Sequence, residues 1–203
     1  RRQRQMCIRD RCWAEVPVRS TLLMKIYTRG GDDGSTGRLY GGRVAKDDTG
    51  PEANGTVDEA VSALGVARAI ADGPLAAILL DLQRSLFVVG AELATGVENR
   101  HKLTEGVSLV TDEMVAALEP AIDEVVDEVG MPTEFIVPGG SPLSAALDHA
   151  RAIVRRAERR AVTHCREAGI DDSRTVPYLN RLADYVYMQA RAAEATWTPS
   201  REE

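Results

Sequence analysis

Two separate stretches of the chain carry residue types that bind phosphate. In the later stretch, helical spacing places four charged residues on one face, at i, i+4, i+7 and i+8: Arg151, Arg155, Glu158 and Arg159. Arg156 and Arg160 add two more guanidiniums to the same helix. Because a single glutamate cannot balance them, the pattern predicts a polyanionic partner. The alternative is a solvated helix surface, with Asp58 or Glu59 supplying part of the missing negative charge.

The earlier stretch, residues 25–37, is rich in glycine and hydroxyl side chains. It reads Lys-Ile-Tyr-Thr-Arg-Gly-Gly-Asp-Asp-Gly-Ser-Thr-Gly, and the backbone N–H groups of such loops suit phosphate. It lacks the spacing of a P-loop or a dinucleotide fingerprint, so a plain surface turn stays an open alternative. Arg43 and Lys46 follow closely and add cations. Together the two stretches predict a nucleoside triphosphate site built from distant segments.

Two shorter motifs are ambiguous on their own. Phe135 opens an apolar segment that continues through Pro138 to Gly140, where the proline favours extended backbone. Such a phenylalanine more often fills a core than a site. Asn180 and Asp184 share a helix face and could simply pair on the surface. The sequence contains no evident Ser-His-Asp group or metal-ligand cluster, so an enzyme of this kind would position and polarise its substrates.

The composition of the 203 residues argues against several classes of protein. A net charge of −6 is unlike that of a general nucleic-acid binder. The apolar run at 75–80 is interrupted by Asp81, which predicts that no segment spans a membrane. The three cysteines form neither a CxxC pair nor a metal spacing, which indicates free thiols in a reducing cytoplasm: Cys7, Cys12 and Cys165.

The elements that must position these residues are helices. Apolar periodicity and end signals predict helices at about 51–72, 75–95, 111–129, from 141 to near 169, and at about 173–196. The loop-like region before them has at most a short strand at 25–28. Aromatic residues make up only 4% of the chain, so the core is built from Ala, Leu and Val. The sequence therefore predicts an all-α bundle, preceded by a disordered extension at 1–23 with Met24 as the native start.

Five motifs, in this order, resemble the PduO-type corrinoid adenosyltransferases, also called ATP:cob(I)alamin adenosyltransferases. They are the Gly-rich stretch at 25–34, Gly-Thr-Val-Asp-Glu at 55–59, Phe-Ile-Val-Pro-Gly-Gly at 135–140, Arg-Arg-Ala-Glu-Arg at 155–159 and Leu-Asn-Arg-Leu-Ala-Asp-Tyr at 179–185. The resemblance covers about 24–196 and implies one domain at 24–198. It also implies a ferritin-like five-helix bundle that assembles as a homotrimer, with active sites between neighbouring subunits.

The resemblance also implies roles for individual residues. The ATP-binding set would be Thr28, Arg29, Gly30, Gly31, Thr36, Gly37, Lys46, Arg155, Arg156, Glu158, Arg159 and Asn180. The catalytic set would be Asp58, Phe135, Arg151 and Arg155. In it, Asp58 and Arg151 form an ion pair between subunits beside the corrinoid, and Phe135 fills the lower axial face of cobalt.

The implied reaction is attack of Co(I) on the 5′ carbon of ATP, with triphosphate as the leaving group. The nucleophile then belongs to the corrinoid, while Mg²⁺ and the arginine face stabilise negative charge. A reductase and an adenosylcobalamin-dependent mutase are expected partners, in the cytoplasm. The alternative function is an escort protein that binds ATP and adenosylcobalamin and delivers the cofactor to a mutase.

The chain departs from the family pattern at three places. The loop reads Thr-Arg-Gly-Gly at 28–31 where the family usually has Thr-Lys-Thr-Gly, which alters the cation and removes a hydroxyl. Glu92 stands where an aspartate is common. The helix end at 190–193 lacks the usual aromatic residue.

Overall fold

The computed structural model describes residues 27–201. It contains a small antiparallel hairpin, β1 (Ser35–Gly37) and β2 (Arg43–Ala45), followed by helices. These are α1 (Thr49–Ile70), α2 (Pro74–Leu93), a 3₁₀ helix (Val97–Lys102), α3 (Asp112–Ala116), α4 (Leu118–Val129), α5 (Pro142–Ala168) and α6 (Thr175–Ala192). The prediction of an all-α bundle is confirmed. The predicted extension at 1–23, the start at Met24, and Cys7 and Cys12 lie outside the described residues.

Local end signals explain where the long helices begin and end. Asp48 accepts a hydrogen bond from the Gly50 amide at 3.2 Å and caps α1. Ser141 and Ser144 form a reciprocal capping box at the start of α5, with Pro142 in the first turn. Gly169 ends α5 in the left-handed conformation at φ 65°.

The core lies between α1, α2, α5 and α6. Alanine dominates the facing sides of α1 and α5, where small side chains let the two helices approach closely: Ala53, Ala60, Ala63, Ala67, Ala150, Ala157 and Ala161. Leucines from α2 and α6 fill the remaining space, among them Leu79, Leu86, Leu179 and Leu182, all fully buried. This arrangement confirms the core of small and aliphatic residues predicted from the low aromatic content.

Two predicted elements differ in the structure. The single helix expected at 111–129 is divided at Ala117 into α3 and α4. Pro120 lacks the N–H that would donate to the Ala116 carbonyl, which accounts for the break. At most a short strand was expected at 25–28. Residues 27 and 28, the part of this range that the structure describes, do not lie in a strand. The strands instead lie at 35–37 and 43–45, with Thr36 opposite Val44.

Helix α2 is the one helix among residues 27–201 that is long and apolar enough, by length and composition alone, to cross a bilayer. It has 20 residues, and a stretch within it has a mean hydropathy of 1.4. The core helix of a bundle passes the same test, so the expectation that no segment spans a membrane stays a prediction. In the bundle, α2 packs along α1 through Leu79, Leu82 and Leu86, while Phe87 stays 64% exposed.

Candidate functional site

The Gly-rich loop is ordered by its own polar contacts. Asp33 accepts hydrogen bonds from the Ser35 amide at 2.9 Å and the Ser35 hydroxyl at 2.8 Å, which lowers the pKa of its carboxyl. Arg43 reaches back from β2 and donates to the Ser35 hydroxyl and the Gly30 carbonyl. The loop therefore has a defined shape rather than being an unconstrained surface turn.

Lys46 lies directly over this loop. Its amide donates to the Gly34 carbonyl at 2.8 Å. A Cβ on Gly31 would lie 3.0 Å from the Lys46 Nζ atom, so the ammonium packs closely against the glycine. No carboxylate within residues 27–201 forms an ion pair with Lys46. The loop thus presents an unpaired cation beside Gly31. The Thr28 hydroxyl of the same loop accepts from the Gly30 amide at 3.4 Å.

Four arginines at positions 155–160 of α5 fall into two groups. Arg156 pairs with Glu59, and Arg160 pairs with Glu52 at 3.2 Å, so α1 neutralises both. Arg155 and Arg159 are exposed, and neither has an acidic partner within the described part of the chain. The interpretation of a solvated, paired surface therefore holds for Arg156 and Arg160 but not for Arg155 and Arg159, whose guanidiniums lack an acidic partner among the described residues.

A polar link between α5 and α6 adjoins these free arginines. The Asn180 side-chain amide donates to Glu158 at 3.1 Å, and Arg181 donates to the Asn180 side-chain oxygen Oδ1 at 2.7 Å. The hydrogen bond from Asn180 holds the Glu158 side chain in place. Glu158 forms no ion pair with any described residue of α5. Glu158 of α5 and Asn180 of α6, both predicted site residues, are therefore in direct contact.

Asp58 and Arg151 do not pair within one chain. Asp58 is exposed on α1, and of the two acids proposed to neutralise the arginine face only Glu59 does so. Arg151 is half-buried on α5, with its guanidinium 4.9 Å from the centre of the Tyr187 ring. At that distance the ring holds the cation by a cation–π contact.

Phe135 is not part of the core. Its side chain is 86% exposed, so the interpretation of this residue as a core plug is wrong. The reason is its position between α4 and α5, in a connection punctuated by Pro138 and Gly139 that no helix covers. An exposed phenylalanine of this kind is available to contact a ligand or another subunit.

A cavity of about 660 Å³ opens between the hairpin, α1 and α2. Among the predicted site residues it contains Thr36, Gly37 and Asp58, but none of the α5 arginines. Phe87 and Val97, which are 64% and 51% exposed, form part of its apolar wall. The sequence-predicted residues therefore lie on separate surfaces of one chain, and a single subunit does not bring them all together.

His164 lines the same cavity and was not predicted as a site residue. Burial lowers the pKa of its imidazole, and Nδ1 lies 3.3 Å from the Thr49 hydroxyl. The Nε2 atom is buried without a hydrogen-bond partner among residues 27–201. Gly50 packs on the ring, since a Cβ there would lie 3.1 Å from Cε1. In the sequence, His164 lies on a predicted helix, a position that favours a packed histidine over a site residue.

Glu92 has a clear structural role despite departing from the family pattern. It is 1% exposed, accepts a hydrogen bond from the Val110 amide at 2.9 Å and pairs with Arg100 at 3.1 Å. Arg100 also contacts Asp172, so one buried carboxylate ties α2 to two loops. In residues 27–201 no group of three or more His, Cys, Asp or Glu side chains could hold a metal ion.

Comparisons with known proteins identify one family. The sequence model described as Cobalamin adenosyltransferase matches residues 26–193. The corrinoid adenosyltransferase of Bacillus subtilis (strain 168) is 42% identical, over 85% of this chain and 88% of its own length. That of Citrobacter freundii is 39% identical, over 86% of this chain and 97% of its own length.

Solved structures agree with the sequence relatives. A phenylalanine-to-alanine variant of the PduO-type ATP:corrinoid adenosyltransferase from Lactobacillus reuteri, complexed with cobalamin and ATP, superposes with a TM-score of 0.79. It is 32% identical, and the match covers 88% of this chain and 100% of that one. An arginine-to-lysine variant of the same enzyme, complexed with ATP, gives a TM-score of 0.77 at 32% identity, over 87% of this chain and 100% of that one. The chain belongs to the cobalamin adenosyltransferase family.

Proposed function

We propose that this protein transfers the 5′-deoxyadenosyl group of ATP to the cobalt of a Co(I) corrinoid. The Co–C bond forms with the electron pair of Co(I), while the bond between C5′ and the α-phosphate oxygen breaks. Triphosphate leaves with the electron pair of the broken C5′–O bond, so the step is balanced without any added oxidant or reductant. The observation that carries the proposal is the pair of uncompensated guanidiniums, Arg155 and Arg159, beside the Glu158–Asn180 link.

The two free arginines suit the leaving group. Guanidiniums bind phosphate oxygens with paired, directional hydrogen bonds, and charge that develops on the triphosphate is stabilised by donors already in place. Arg156 would bind less strongly because Glu59 already accepts from it. Lys46 and the loop residues Thr28, Arg29, Gly30, Gly31, Thr36 and Gly37 would bind the rest of the nucleotide through the ammonium, hydroxyls and backbone N–H groups.

The nucleophile in this proposal is the substrate itself. The one cysteine in the described part of the chain, Cys165, is buried, and burial raises the pKa of its thiol. A protonated, inaccessible thiol is a poor nucleophile. The protein then contributes binding, orientation and electrostatics, which is the usual division of work in cofactor chemistry.

In this proposal Mg²⁺ binds together with the triphosphate. Mg²⁺ keeps several waters and usually takes one or two protein carboxylates together with substrate phosphates. Glu158 is the carboxylate of this chain that lies among the free arginines, and no larger acidic group exists there in residues 27–201. When bound, the ion supplies charge neutralisation of the phosphate oxygens, while Arg155 and Arg159 orient them.

The separation of the predicted residues favours a site between subunits of a homotrimer. Asp58 is exposed on one surface and Arg151 is held by Tyr187 on another, so their ion pair would join neighbouring subunits. Phe135, which is 86% exposed, would occupy the lower axial face of the corrinoid. Sedimentation equilibrium of the parent protein and of Asp58→Arg tests this assembly, and an unchanged mass for the variant would contradict the ion pair.

The experiment that tests the function is an anaerobic assay with ATP, Mg²⁺ and chemically reduced cobalamin. We expect loss of the Co(I) absorbance and formation of a light-sensitive Co–C product, both of which stop when ATP is omitted. A folded protein that binds ATP but forms no product would refute transferase activity and favour the escort function. A reductase, a downstream mutase and a cytoplasmic location complete the proposal.

A further inference from the structure

The connection that carries Phe135 is paired with the C-terminal segment, residues 194–200. The Val137 amide donates to the Thr198 carbonyl at 2.9 Å, and the Ser200 amide donates to the Phe135 carbonyl at 2.8 Å. Ile136 and Pro199 lie opposite each other in an antiparallel bridge. Within residues 27–201, these are the backbone hydrogen bonds that residues 131–140 make to other segments.

The same C-terminal segment is anchored to the end of the bundle. The Trp197 indole N–H donates to the Arg191 carbonyl at 3.1 Å, and the Ser141 hydroxyl donates to the Ala193 carbonyl at 3.0 Å. Glu194 packs against Gly140, where a Cβ would lie 2.8 Å from the carboxyl carbon. The Phe135 connection therefore contacts the residues that follow α6 both at 135–137 and at its C-terminal end.

A buried ion cluster lies under this anchor. The Arg191 side chain is 1% exposed and pairs with Asp148 and with Glu194, whose side chains are 7% and 2% exposed. Burial raises the pKa of Asp148, and the charge of Arg191 opposes that shift. Arg191 also lies 5.1 Å from the centre of the Tyr187 ring, the ring that holds Arg151.

We propose that the segment Glu194–Ser200, anchored by buried Arg191, positions Phe135 for the reaction. The inference rests on the proposed function and deepens it. An exposed ring that excludes an axial ligand from cobalt must be held to within about 0.5 Å. The Phe135 side chain has almost no packing of its own, so the backbone pairing with 198–200 supplies that constraint. Ser200, Trp197 and Arg191 are thus positioning residues, and none of them needs to touch substrate.

The test uses matched substitutions at Ser200 in the full chain. Ser200→Pro removes the N–H that donates to the Phe135 carbonyl, whereas Ser200→Ala keeps it. One hydrogen bond of this kind changes a local opening equilibrium by roughly fivefold. We therefore expect the Val137 amide of Ser200→Pro to exchange with solvent about fivefold faster, with an unchanged melting temperature. Ser200→Ala should exchange like the parent.

The functional readout is the spectrum of Co(II) cobalamin bound with ATP. If Phe135 is mispositioned, the ratio of four-coordinate to five-coordinate Co(II) should fall about fivefold in Ser200→Pro but not in Ser200→Ala. Trp197→Phe, which removes the indole donor and keeps an aromatic ring, should act in the same direction from the anchored end. It provides the comparison if Ser200→Pro does not fold.

The outcomes separate this inference from the proposed function. Faster exchange together with loss of four-coordinate Co(II) supports the positioning role. Unchanged exchange, or faster exchange with an unchanged Co(II) spectrum, overturns it. If the parent itself forms no four-coordinate Co(II) with ATP, the corrinoid part of the proposed function fails, and the exchange comparison still decides whether the segment holds the connection.

Discussion

Replacing Arg155 with alanine should separate catalysis from stability. Arg155 is exposed in the middle of α5 and has no acidic partner within residues 27–201. Its removal therefore breaks no ion pair within the described chain. Alanine also favours the helix at least as well as arginine. Such surface substitutions change the free energy of unfolding by less than about 0.5 kcal/mol.

The expected loss of turnover is much larger than that change in stability. If Arg155 donates to the departing triphosphate, its removal takes away a donor aimed at developing charge. Losses of this kind lower kcat by about 10²–10³-fold, which corresponds to about 2.7–4 kcal/mol in the activation free energy. The effect on catalysis should thus exceed the effect on stability by at least about fivefold. Arg155→Lys should recover only part of the rate, since lysine keeps the charge but lacks the planar fork.

The assay is single-turnover adenosyl transfer under anaerobic conditions at saturating ATP, with urea unfolding in parallel. Arg160→Ala is the matched control, because Arg160 is also exposed on α5 but pairs with Glu52 at 3.2 Å. An exposed pair of this kind contributes about 0–1 kcal/mol to stability, and we expect the control rate to stay within about threefold of the parent. A rate for Arg155→Ala within threefold of the parent would refute the assigned role.

Three further predictions follow from particular contacts. Phe135→Ala should leave stability unchanged because the ring is 86% exposed, yet slow turnover by hindering reduction of Co(II); an unchanged Co(II) spectrum with ATP would contradict this. Arg191→Met should destabilise the fold by about 3–5 kcal/mol in urea unfolding, because it leaves the carboxylates of Asp148 and Glu194 buried without a cation; a loss below about 1 kcal/mol would show that the cluster opens to water. Burial lowers the pKa of His164, so below about pH 6.5 the unfolded chain binds more protons there than the folded chain. Stability should fall as the pH drops from 7 toward 5, and His164→Asn should weaken that dependence; equal slopes for both proteins would count against it.

The helices could be predicted from the sequence because apolar periodicity and capping residues are properties of neighbouring residues. Apolar periodicity placed the long helices, and Ser141 with Pro142 correctly marked the start of α5. The break at Ala117 was missed, although Pro120 carried the signal for it. The hairpin at 35–45 was missed because its glycines, at 37, 41 and 42, favour a turn. Its position also depends on a distant contact, the Leu39 amide donating to the Ala94 carbonyl.

Candidate site residues were predicted from the sequence, but their ion-pair partners and exposure were not. Arg155 and Arg156 are adjacent and chemically identical, yet only Arg156 meets a carboxylate, because α1 packs on that side of α5. Asp58 and Glu59 are likewise adjacent, and one helical position decides which of them faces the arginines. The roles assigned to the individual residues of the site stay predictions.

By itself, the sequence determined the helical bundle, the family and the order of the motifs, since periodicity, capping residues and motif spacing are properties of neighbouring residues. Only the tertiary structure decided which arginines are free, that Phe135 is exposed, and that Arg191 is buried between Asp148 and Glu194. These facts depend on which helix faces meet across the bundle. The residues that neutralise a charge or cover a ring lie far away in the chain. A local sequence pattern therefore does not show which charges are paired or which rings are buried.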